Sequence, residues 1–101
     1  MYCLDTYALV EIHDGNKKFL SLLNKEIAIT SLTLTEFYGL LYKRFNEKTA
    51  EYWKRKLLPI TKEVNSEELI EAIKFKIKNK VSFFDAIGYI YSQQNNMKFV
   101  T

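Results

Sequence analysis

Short apolar runs alternate along this chain with longer stretches of helical period. "YCL" at 2–4 is compact and apolar and ends on Asp5, the pattern of a buried strand opening into a loop. "TYALVEIHDG" then has the spacing of a helix closed by Gly15, and "KKFLSLLNK" predicts a second short helix with Phe19, Leu22 and Leu23 on one face. "IAIT" at 27–30 is a β-branched strand bounded by polar residues. "TLTEFYGLLYKRF" is amphipathic, with Leu34, Phe37, Tyr38, Leu41 and Phe45 near helical spacing, and "EKTAEYWKRKLL" predicts another helix as far as Pro59. "ITKEV" alternates apolar with polar residues, as a strand near a sheet edge does. "NSEELIEAIKFKIKNK" predicts a helix opened by a capping box of Asn65 and Glu68. A helix over 82–95 and a fourth strand in "MKFVT" complete the chain.

Short strands separated by helical stretches define an α/β fold with a parallel sheet. The 101 residues predict one domain, 1–101, with no repeat, low-complexity segment or linker. Composition fits that picture: 48% hydrophobic and 27% charged residues are the balance of a globular core, and three glycines with one proline favour helices joined by short connections. The single cysteine, Cys3, has no internal disulfide partner, so a reducing, cytoplasmic setting is expected. No apolar run approaches the roughly 18 residues of a membrane span, and no secretory leader is evident. A net charge of +3 is compatible with a nucleic-acid partner without requiring one.

Three acids stand in apolar surroundings: Asp5 in "CLDTYALV", Glu36 in "SLTLTEFYGLL" and Asp85 in "SFFDAIGYI". Each has an ordinary explanation. "TLTE" and "SFFD" match the Ser/Thr-x-x-acid capping box, and Asp5 can itself cap the helix after it. Topology adds a second explanation that covers all three. A helix entered directly from a parallel strand begins at the sheet's carboxyl edge, which places Asp5 and Glu36 together. The helix 82–95 is joined to the last strand by a short Asn-Asn turn, so it runs antiparallel to that strand and starts at the same edge, bringing Asp85 there. Open α/β sheets bind ligands at this edge. Converging carboxylates repel unless protonated or bridged by a cation, and such hard oxygen ligands suit Mg²⁺ or Mn²⁺. A divalent ion in that setting favours phosphodiester hydrolysis.

On "YCLDT", "TLTEFYGLL" and "SFFDAIGYIYSQQNNMKFVT", the chain resembles a PIN domain, the nuclease fold of VapC-type toxins of toxin–antitoxin pairs. Each motif is a lone acid in an apolar frame, whereas the ordered set at these spacings is more specific. The resemblance implies a three-layer α/β/α fold on a four-stranded, mainly parallel sheet. It implies an Mg²⁺- or Mn²⁺-dependent endoribonuclease whose metal is held by Asp5, Glu36 and Asp85, with Thr6 and Thr101 as auxiliary hydroxyls. Cleavage would leave a 5′-phosphate and a 3′-hydroxyl. It also implies RNA as substrate, a protein antitoxin and a homodimer. The family pattern continues with an acid two positions beyond the threonine matched by Thr101. A fragment, a shortened member that still binds metal, and a member without activity are therefore all open.

His13 fits a helix-end or surface residue better than a general base, and Cys3 a buried hydrophobe better than a nucleophile. Tyr38, Tyr42, Tyr52 and Trp53 suit core packing or a partner-facing aromatic patch. "YKR", "WKRK" and "KFKIKNK" read as solvated faces, or as an RNA-backbone grip where they border the acids. Two other classes compete with the nuclease. One is a catalytically impaired PIN-like module that binds RNA or protein. The other is a phospho-accepting receiver domain, which needs paired acids after the first strand, where this chain has Asp5 followed by Thr6.

Overall fold

The computed structural model describes all residues from Met1 to Thr101. Four strands, β1 (Tyr2–Leu4), β2 (Ile27–Thr30), β3 (Thr61–Lys62) and β4 (Lys98–Val100), form one sheet in the order β3-β2-β1-β4. Every pairing is parallel, with Tyr2 opposite both Ile27 and Lys98, Leu4 opposite Val100, and Thr30 opposite Lys62. The central strands are therefore the two apolar runs "YCL" and "IAIT", and the polar "TK" takes an edge.

Six α-helices connect the strands: α1 (Thr6–His13), α2 (Lys17–Leu20), α3 (Ser31–Arg44), α4 (Glu47–Leu57), α5 (Ser66–Asn79) and α6 (Phe83–Gln94). Short 3₁₀ turns follow α2 at Ser21–Asn24 and α4 at Leu58–Ile60. Every helix starts at a side-chain cap that accepts a backbone N–H: Asp5, Asn16, Thr30, Asn46, Asn65 and Ser82. Such caps satisfy donors that the first helical turn leaves free. The Asn65–Glu68 capping box forms in both directions. Glu68 also accepts from the side chain of Asn95 at 3.0 Å, tying the start of α5 to the end of α6.

The helices make two layers. Leu4 and Ile29 pack with Ala8, Leu9, Ile12, Phe37, Leu41, Ala50 and Leu57, so α1, α3 and α4 cover one face. Ala72 of α5 packs with Ala86, Ile87 and Ile90 of α6 in a separate core, and α6 touches β1 and β2. This is the three-layer α/β/α arrangement around a four-stranded parallel sheet.

Three expectations are corrected. The helix through Glu36 begins at Ser31, because Thr30 both ends β2 and caps α3; Thr33 is buried inside the first turn, and "TLTE" is not a capping box. Residues 17–24 split into a four-residue helix and a 3₁₀ turn, and Leu23 turns outward instead of joining Phe19 and Leu22 on a packed face. Phe45 is the exposed C-cap of α3 rather than part of its buried stripe.

Candidate functional site

Asp5 follows β1 directly and caps α1, its Oδ1 accepting the Ala8 N–H at 2.9 Å. It is 4% exposed, an unusual place for a carboxylate with no basic partner. Its own N–H donates to the Val100 carbonyl at 3.0 Å, which puts Thr101, at the end of β4, beside it. Burial is the main reason that the Asp5 carboxyl is pushed above the ordinary carboxylate range. The Thr101 hydroxyl and the Ala8 N–H oppose the shift, and the negative charge of Asp85 adds to it. Asp5 and Asp85 thus act on one another electrostatically across the gap between α1 and α6.

Asp85 is the third residue of α6. Its backbone N–H is satisfied by Ser82 Oγ at 3.1 Å, yet its carboxylate does not return the bond to Ser82, unlike Glu68 in the Asn65 box. The helix is capped by Ser82, and the exposed Asp85 carboxylate is left free of hydrogen bonds to the protein. Glu36 lies in the second turn of α3, half-buried, and its Oε1 accepts the Thr6 hydroxyl. All five residues singled out by sequence (Asp5, Thr6, Glu36, Asp85 and Thr101) therefore gather where β1, β4, α1, α3 and α6 meet at the carboxyl edge of the sheet.

The three carboxylates share this edge without closing on a single point: no three acid, imidazole or thiolate groups stand close enough to form a ready-made ion cage. The physical reason is visible in their partners. Asp5 and Asp85 repel, and Glu36 is held back by Thr6. The donor set is nonetheless all oxygen, three carboxylates and two hydroxyls, which fits a hard divalent cation. Cys3 lies close behind, fully buried, its thiol pushed up by burial and unsuited to ligation in that state.

His13 ends α1, far from Asp5 at its start, with its ring 5.1 Å from Phe45 and 5.6 Å from Trp53. Phe37 and Trp53 pack edge to face, and Tyr38 donates to Glu51 at 2.5 Å, a bond that pushes the phenol up to about 12. Tyr42 and Tyr52 keep large exposed faces, so the aromatic residues divide between core and surface. The basic stretches divide as well. Lys43 and Arg44 end α3, which starts at the acid edge and runs away from it, and Lys56 lines a cavity with Met1, Glu26 and Ile27 at the opposite edge. Only the lysines of α5 approach the acids, through Phe75. That residue lines one cavity with Asp85 and another with Lys74 and Lys78.

Sequence pattern did not single out Phe75, Tyr89 and Phe99, which share a cavity with Asp85 and Thr101. The available signal is local to α6: Tyr89 stands four residues after Asp85, on the same helix face, beside a mid-helix Gly88.

The family model of the PIN domain matches residues 2–101, and the chain belongs to the PIN domain family. A toxin–antitoxin complex from Klebsiella pneumoniae contains a similar chain, with a TM-score of 0.79 at 16% identity over 100% of this chain and 85% of that one. VapC20 of Mycobacterium tuberculosis, described as a sarcin–ricin loop cleaving toxin, gives 0.81 at 15% identity over 96% of this chain and 85% of its own. No curated protein matches the sequence.

Proposed function

We propose that this PIN-domain chain is a divalent-metal-dependent endoribonuclease of the VapC type, the toxin of a toxin–antitoxin pair. The observation that carries the reading is the electrostatic pairing of Asp5 with Asp85 at the carboxyl edge, with Glu36 held beside them by Thr6. Asp5, Glu36 and Asp85 would hold Mg²⁺ or Mn²⁺. When bound, such an ion supplies Lewis-acid polarisation of the scissile phosphodiester and activation of water.

The chain's own residues have separable tasks. Asp5 is fixed by its cap bond and by the β4 backbone, so it is the rigid member of the set. Asp85 is the accessible member, its carboxylate free to reach a ligand. Glu36 exchanges its bond from Thr6 for the cation, and the freed hydroxyl remains available to substrate or water. The Thr101 hydroxyl moderates the charge on Asp5. A cation between Asp5 and Asp85 removes the repulsion that lifts the Asp5 pKa.

An antitoxin partner is supported by the neighbour solved as a toxin–antitoxin complex, together with the exposed aromatic rings of Tyr42, Phe45 and Tyr52. A homodimer and a cytoplasmic setting belong to the same reading; no helix is long and apolar enough to cross a membrane. The second reading, a catalytically impaired module that binds RNA or protein, is favoured by the acids' failure to close into a cage. Cleavage of single-stranded RNA in Mn²⁺ and in chelator separates the two. The nuclease gives Mn²⁺-dependent products that Asp85→Asn abolishes. Binding without cleavage, or cleavage unaffected by Asp85→Asn, contradicts it.

A further inference from the structure

We propose that the cavity between α5, α6 and β4 is a stacking subsite for the nucleobase next to the scissile phosphate, an inference that rests on the ribonuclease reading above. The cavity holds about 250 to 350 Å³ in the sense of a small-ligand pocket, measured at ≈ 310 Å³, and is lined by Phe75, Val81, Asp85, Tyr89, Phe99 and Thr101. Asp85 and Thr101 belong to the acid edge, so the cavity is continuous with it.

Its walls are aromatic and built for a flat occupant. The rings of Phe75 and Tyr89 stack with centroids 4.6 Å apart and planes 28° from parallel. Phe99 lies against the α6 backbone, where a Cβ on Gly88 would come within 2.5 Å of its ring. Glycine at that position is what lets the third ring sit there. On the other side of Phe75 a second cavity is lined by Lys74, Lys78 and Asn79. Lys74 pairs with Glu71 at 3.2 Å, whereas Lys78 makes no ion pair. Carboxylates, aromatic rings and lysines thus follow one another across the surface, the order in which a single strand presents a cleaved phosphate, a base and the next phosphate. An aliphatic side chain of a protein partner would use the apolar walls but gain nothing from the lysines.

The test uses single-stranded RNA oligonucleotides carrying 2-aminopurine at each position in turn, bound in the presence of chelator so that cleavage does not intervene. Stacking should quench the probe at one position, and Phe75→Leu/Tyr89→Leu should abolish that quench and weaken binding on the order of tenfold. Tyr89→Phe keeps a ring and should keep the quench, which guards against a misfolded double variant. RNA binding with no position-specific quench, or a quench that survives in the double variant, overturns the subsite. Mn²⁺-dependent cleavage of the same oligonucleotides is scored separately. Cleavage without quench sinks the subsite alone, and the absence of both binding and cleavage sinks the ribonuclease reading with it.

Discussion

The Thr6 hydroxyl donates to the carboxylate of Glu36, joining the first turn of α1 to the second turn of α3 across thirty residues of sequence. The bond links the ends of the two central strands, β1 and β2, and fixes which way Glu36 points. It also keeps Glu36 from crowding Asp5 and Asp85.

Replacing that hydroxyl tests the tether. Thr6→Val should lower stability by about 1 kcal/mol, the usual net worth of a hydrogen bond, while Thr6→Ser should retain most of it. Urea denaturation of the two variants in chelator reads the difference. Equal stability of the valine and serine forms would mean that the bond contributes nothing.

Asp5 predicts an inverse dependence of stability on pH. Its folded pKa is raised, chiefly by burial, so the folded state holds that proton more tightly than the unfolded chain does. Stability from this group is full below the ordinary carboxylate pKa and falls as pH rises through the higher folded value. Asp5→Asn keeps a good helix cap and removes the charge. Without divalent metal, the variant should therefore be more stable than the wild type at neutral pH, with the gap closing on acidification. Thermal melts at both pH values decide it; a less stable variant at neutral pH would contradict the assignment.

Gly88 and Phe99 should be energetically coupled. A methyl group at 88 meets the Phe99 ring, and such overpacking costs about 1–3 kcal/mol, partly offset by up to about 1 kcal/mol of helix propensity gained over glycine. Gly88→Ala should destabilise the wild type and be nearly neutral in a Phe99→Leu background. A double-mutant cycle with no interaction energy would refute the contact.

Glu68 offers a test remote from the acids. Its carboxylate accepts from the Asn65 N–H at 2.9 Å and from Asn95 at 3.0 Å, and it is nearly buried. Glu68→Ala should cost about 1–3 kcal/mol by leaving those donors unpaired, read as a drop in Tm. An unchanged Tm would show that water replaces both bonds.

Much of this arrangement was legible in the sequence because its devices are local. "YCL" and "IAIT" are too short and apolar to be anything but buried strands beside their caps, and the Asn95–Asn96 turn fixes the direction of α6. Asn96 takes the left-handed conformation, φ 55°, which asparagine tolerates, so the turn stays tight. That direction brought Asp85 to Asp5. The start of α3 was less legible, since Thr30 and Thr33 are chemically alike and only the strand register shows that Thr30 is the cap. The orientation of Glu36 depends on a hydroxyl thirty residues away, and the aromatic cavity is assembled from α5, α6 and β4. Neither leaves a periodic trace in any one segment.

The central claim, that Asp5, Glu36 and Asp85 together hold a divalent ion, is tested most directly by titrating the protein with Mn²⁺ and following free Mn²⁺ by electron paramagnetic resonance. The account predicts saturable binding by the wild type, weakened at least about tenfold, as the loss of a ligating or supporting group does, in each of Asp5→Asn, Glu36→Gln and Asp85→Asn. Glu68→Ala should leave the affinity unchanged. Equal Mn²⁺ affinity in the wild type and the three acid variants would contradict it.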